Sequence, residues 1–186
     1  VNDEAGQDIL RPEVQQRILR DVFARAFSAV FVAIPCSSYS FVSGRKLRSK
    51  ALPRGMQVPK RWRAYLRKHN RLTDFGLSLL EICDSLDIPW ACENPADRGR
   101  PGPARWSRFA DWGSLWDQPQ AVKLMEAGAH RVLVPLCTLG SPFQKYLEVM
   151  VSSSLRVTAD ALFGGLACTH SKHADVAIGK DVRGQS

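Results

Sequence analysis

Long apolar runs are missing from this 186-residue chain. None approaches the ~18 residues of a membrane-spanning helix, so no transmembrane segment is expected. No signal peptide is read in the first ten residues, VNDEAGQDIL, which are acidic and polar. With no Met at its start, the chain reads as a piece of something longer. Cysteine is scarce and odd in number. Five are scattered at 36, 83, 92, 137 and 168, which argues against a disulfide framework and suits a reducing intracellular compartment, the nucleus included. Acidic residues are absent from one whole stretch. Residues 41–71 hold eleven Lys/Arg and no Asp or Glu, so with a net charge of +8 the rest of the chain sums to −3. A one-sided block of this kind suits a polyanion such as nucleic acid, with a solvated basic loop as the plainer alternative.

What is present is enough to fold. Hydrophobic residues make up 45% of the chain, which excludes a disordered polymer and allows one domain, expected over residues 1–178 with a frayed tail at 179–186. Pro12 and the face Val14, Ile18, Val22, Phe23 predict a helix over 12–28. The β-branched run 29–34 predicts a buried strand, and Gly44, Pro53, Gly55 and Pro59 predict a long loop over 41–60. Leu72, Phe75, Leu79, Cys83 and Leu86 mark a helix within 61–87. Further strands are expected at 88–92, 131–136 and 147–152, and helices at 119–128 and 155–167. Strands alternating with helices predict an α/β domain with a mostly parallel sheet.

Ligands of such sheets gather at the carboxyl ends of the strands. Cys36 and Glu93, 57 positions apart, both lie at predicted strand ends. Cys36 closes the run Ala29–Ile34 and Pro35, at the head of a loop rich in cations that favour the reactive thiolate. Glu93 follows an apolar strand, where burial would raise its pKa toward neutrality. Lys145 follows the turn Gly140-Ser141-Pro142. Taken singly, each has a plainer reading: an inert cysteine, a capping carboxylate, a surface lysine.

The ordered set Pro35-Cys36-Ser37, Glu93-Asn94-Pro95 and Gly140-Ser141-Pro142-Phe143-Gln144-Lys145 resembles the cytosine-5 DNA methyltransferase family, in its divergent, retroelement-associated form. The resemblance spans about residues 8–173, and includes the stretch from Cys137 to Lys145 and a Cys/His-containing end. It implies a three-layer Rossmann-like methyltransferase fold, incomplete at its N-terminus. It also implies DNA, in preference to RNA, as partner and S-adenosyl-L-methionine as methyl donor. Cys36 would attack cytosine C6, Glu93 would bond the N3 and amine edge, and Lys145 would stand where the family has an arginine. Pro35, Ser37, Ser40, Asn94, Pro95 and Gln144 would shape the base site. Arg45, Arg48 and Arg54 of the basic loop would hold phosphates around a flipped base.

Two departures accompany the likeness. The family's Gly-rich cofactor loop has no counterpart upstream of Cys36, leaving Asp3 and Asp8 as the candidates for cofactor contact. Lysine at 145 also lacks arginine's two-pronged donor. A rival reading keeps the fold and the basic loop as a non-catalytic nucleic-acid-binding domain. A third, a thiol hydrolase, needs a histidine beside Cys36, and no spacing supports one. Cys168, His170 and His173 are zinc-ligand types, but a closed site needs a fourth ligand, Cys137 or Cys92, brought in by tertiary structure. A helix end followed by a polar loop is the simpler expectation, so no metal is expected. Of the five tryptophans, Trp62, in Lys60-Arg61-Trp62-Arg63, is the best candidate for stacking on a base.

Overall fold

A computed structural model of the chain describes residues 8–40, 45–143, 145–170 and 173. Its elements are α1 (Pro12–Phe23), β1 (Val30–Ala33), α2 (Lys60–Ser85), β2 (Trp90–Pro95), α3 (Pro119–Glu126), β3 (His130–Pro135), β4 (Tyr146–Val151) and α4 (Arg156–Phe163). Each lies within a few residues of its expected place. α1 is shorter than expected because Arg25 takes a left-handed φ of 53°, which ends the helix. α4 stops at Gly164-Gly165, where helix propensity collapses.

The sheet has the order β1-β2-β4-β3. β1 pairs parallel with β2, whereas β4 is antiparallel to both β2 and β3. The expectation of a mostly parallel sheet is therefore corrected: this is a mixed α/β sheet with one parallel pairing and two antiparallel ones. The cause is one strand. β1, β2 and β3 run the same way, but the reversed β4 inserts between β2 and β3 and makes both pairings antiparallel. The turn-borne return from β3 to β4 needs no crossover helix, which permits that reversal.

β2 also runs further than expected. Glu93, Asn94 and Pro95 are part of the strand, paired with Val149, Glu148 and Leu147, rather than lying just past its end. Alternation then sorts the side chains. Val32, Trp90, Cys92 and Met150 face α1, α2 and α3 and build the main core with Leu77, Leu80 and Leu115. The other face carries Val132, Val134, Val149 and Val151 against Ala159 of α4. α4 covers that face at β3. Toward β1 no described residue covers it, and Phe31 is 64% exposed. Gly76 is where α2 crosses β1: a Cβ there would stand 3.1 Å from Ile34 Cδ1 and 3.3 Å from Val32 Cγ1.

Candidate functional site

Three of the motifs meet at one end of the sheet. β1 ends at Ala33, and after Ile34 and Pro35 the chain enters a 3-10 turn, Cys36–Ser38. Ala33 pairs with Glu93 on the neighbouring strand. The next residue, Asn94, is fully buried and donates from Nδ2 to the Ile34 carbonyl at 2.8 Å. One amide thus ties the Glu-Asn-Pro strand to the backbone two residues before Cys36. Lys145 immediately precedes β4, whose start lies beside the end of β2, and the Ala96 amide donates to the Tyr146 carbonyl at 3.2 Å. Lys145 is exposed, and its carbonyl accepts from Leu136 N–H at 2.8 Å. Cys36 and Glu93 are each half-buried.

The turn that carries Cys36 rests on α2. Tyr65 Oη donates to Ser37 Oγ at 2.7 Å, and Tyr39 and Thr73 share a buried hydroxyl pair at 2.8 Å. Burial pushes the Tyr39 hydroxyl above its ordinary pKa, although the adjacent Arg48 acts against this. His69 lies beneath the same turn with a bond to the Pro35 backbone, and burial, joined by the Arg48 charge, holds its imidazole below the usual range. Ser40 N–H closes the turn on the Cys36 carbonyl at 2.8 Å.

The basic segment divides into two populations. Arg48 is only 1% exposed, so its assignment to phosphates is corrected. Its guanidinium bonds Ser38 Oγ at 3.2 Å and the Pro53 carbonyl at 2.6 Å, and lies 4.3 Å over the Tyr39 ring. It ties the loop to the Cys36 turn from inside. Arg54 pairs two-pronged with Asp74 at 2.6 and 2.9 Å while staying half-exposed, and that bond raises its pKa. Arg45 lies 4.5 Å over Trp62, which places the proposed stacking tryptophan in contact with a cation already. Arg54, Arg63, Arg67 and Asn70 line a cavity of about 700 Å³ between the loop and the first turns of α2. Arg63 and Arg67 are exposed there.

Asp3 and Gln144 lie outside the described residues. Asp8 is exposed and its carboxylate accepts the Leu10 N–H at 3.0 Å, at the entrance to α1.

Two features depart from the sequence expectations, the first unforeseen and the second weighed there and set aside. The first is Glu148, fully buried on β4 opposite Asn94. It accepts the Asp97 N–H at 3.0 Å, pairs with Arg100, and reaches Arg131 at 3.4 Å. Asp97 in turn meets Lys50 at 3.1 Å. This network fixes the chain leaving the Glu-Asn-Pro strand. Tyr146 and Met150, two positions to either side, show the signal that could have found it: the alternation puts Glu148 on an inward face.

The second is a cluster of Cys137, Cys168, His170 and His173. Cys137 is the second residue of the 3-10 turn Leu136–Leu139 that follows β3, next to Leu136, whose amide donates to the Lys145 carbonyl. Cys168 packs on the small core of Trp106 and Tyr146. Cys168 Sγ lies 3.3 Å from His173 Nε2 and 3.8 Å from His170 Nδ1. Burial acts to raise the Cys168 pKa, but bonds from His170, Cys137 and Tyr146 outweigh it and bring the thiol to about 6. By contrast Cys92, the other cysteine considered as a fourth ligand, is sealed in the main core, and burial beside Glu93 pushes it up to about 12.

No protein-family model matches the chain, and no curated protein or solved structure matches it significantly. Among the described residues, no helix is long and apolar enough to cross a membrane.

Proposed function

We propose that the chain is a nucleic-acid-engaging module of the cytosine-5 methyltransferase type, with DNA preferred over RNA. One observation carries this reading: Pro35-Cys36, Glu93-Asn94 and Lys145, separate in sequence, lie at one sheet end, where the Asn94–Ile34 bond ties the first two together. In this reading the Cys36 thiolate adds to cytosine C6. The π pair of the C5–C6 bond shifts toward C5 and N3, and Glu93, bonding the N3 and exocyclic amine edge, delivers a proton to N3, so the adduct carries no net charge. The target base must leave its stack. Phosphates beside it meet Arg63 and Arg67 in the basic cavity, with Arg54 at its rim.

The described residues do not fit S-adenosylmethionine. Asp8 is engaged with its own helix entrance. The cavity of about 370 Å³ along β1 is lined wholly by apolar residues, among them Ile9, Ile18, Phe27, Phe31 and Phe75, and offers nothing to a ribose or a charged methionine group. These residues therefore support no methyl-transfer step. Base addition can be tested without a methyl donor. In 5-azacytosine, ring position 5 is nitrogen; thiolate addition at C6 followed by protonation at N5 gives a stable adduct. An oligonucleotide carrying that base is expected to attach covalently at Cys36 by peptide mapping. The adduct should disappear in Cys36→Ser and weaken in Glu93→Gln. Salt-sensitive binding with no adduct would instead favour the non-catalytic binding domain, for which the cluster of exposed arginines is the supporting observation.

A further inference from the structure

We propose that Cys137, Cys168, His170 and His173 form a closed structural site for one zinc ion. The four donors come from two regions 31 positions apart, the turn after β3 and the segment after α4. Their ligand atoms all lie within 4.8 Å of one another. A tetrahedral zinc with bonds of ~2.3 Å to sulfur and ~2.0 Å to nitrogen spaces its ligands by roughly 3.3–3.8 Å. The two sulfur–nitrogen separations seen at Cys168, 3.3 and 3.8 Å, match that spacing.

Chemistry favours the same ion. Two thiolates and two neutral imidazoles suit the borderline-soft Zn²⁺, and two thiolate charges cancel its own. The oxygen ligands that magnesium and calcium demand are missing from the set. All four positions are filled by protein, so no place remains for an activated water, and the role is structural. Both cysteines bind as thiolates, and any proton they still carry leaves to solvent as the zinc–sulfur bonds form. Around the donors a second layer is already in place. Tyr146 bonds Cys168, and Trp106 meets Tyr146 edge to face at 5.3 Å. The ion would fasten the segment around 168–173 onto the turn that leads to Lys145, and so brace the sheet end that carries the proposed base site.

The test uses the full chain, purified under reducing conditions and equilibrated with zinc. One ion per chain is expected to survive dialysis. Cobalt(II) in its place should give a thiolate-to-metal charge-transfer band and intense tetrahedral visible bands. Cys137→Ser and His173→Gln should each weaken zinc binding on the order of 100-fold, whereas Cys36→Ser should not change it. Should a ligand variant fail to fold, the wild-type chain still decides the matter: zinc should shield Cys137 and Cys168 from alkylation while leaving Cys36 labelled. The proposal is overturned if no stoichiometric ion is retained, if cobalt shows weak octahedral bands, if Cys137→Ser binds zinc as tightly as the wild type, or if zinc leaves the labelling of Cys137 and Cys168 unchanged.

Discussion

Replacing Glu148 by Gln tests how the sheet end is held. The carboxylate is 0% exposed and faces two cations of different burial: the Arg100 side chain is 41% exposed and that of Arg131 only 18%. In Glu148→Gln, Arg100 can swing into water at little cost, as surface partners do. Arg131 cannot. Its Nε already lacks a partner among the described residues, and beyond Glu148 its guanidinium has there only the Trp116 ring at 5.5 Å. The variant therefore leaves a largely buried cation facing a neutral amide, which should cost about 3 kcal/mol. For a domain of this size that corresponds to a fall in Tm of roughly 6–12 °C. Urea unfolding followed by fluorescence and by circular dichroism would measure it, with coincident transitions required. Replacing both partners, Glu148→Leu with Arg131→Met, should recover part of the loss: the apolar pair strands no charge, but the Asp97 N–H loses its acceptor. A loss below about 1 kcal/mol in the single variant would refute the argument, since Arg131 would then have found water or another partner.

His69 supplies a pH dependence. Its folded-state pKa is depressed by burial and by Arg48, so as pH falls the unfolded chain takes up the proton first. Its contribution to stability is thus complete above the ordinary histidine range near ~6.5 and is lost as pH falls from there toward the depressed value. Unfolding titrations across that window should show a shallower decline in His69→Gln; an equally steep one would refute the assignment. Arg63→Ala and Arg67→Ala should leave Tm nearly unchanged but lower the salt dependence of DNA binding by about one phosphate each, read by fluorescence anisotropy at several salt concentrations. Gly76→Ala should destabilise the fold by about 1 kcal/mol despite its gain in helix propensity, because the new methyl meets Ile34 and Val32. A rise in Tm would show that α2 and β1 can move apart.

Local patterns, helical periodicity and short apolar runs, located the four α-helices and four strands of the described residues. The stripe through Leu72, Phe75, Leu79 and Cys83 is visible without knowing what covers it, and the β-branched run before Pro35 is equally plain. Pairing is not local. Nothing in Tyr-Leu-Glu-Val-Met-Val states that it inserts, reversed, between β2 and β3. The same insertion extends β2 through Pro95 and buries Glu148. Charge counting marked the basic segment but could not separate Arg48, folded inside, from Arg63 and Arg67 outside. At the sheet end, Pro35-Cys36 and Glu93-Asn94 were visible as motifs, and their meeting follows from two adjacent parallel strands. The approach of Cys137 to Cys168 was not legible, since it depends on where α4 delivers the chain after crossing the far face.

β1 has a neighbour on one side only among the described residues, and its apolar flank ends in the bare ring of Phe31. Backbone amides and carbonyls along that rim are a template for any extended polypeptide that reaches them. In a concentrated preparation, the nearest such polypeptide is another molecule of the same protein. Crowding in the tube, more than heating, would then govern how long a sample stays clear, and a charged residue in place of Phe31 would prolong it.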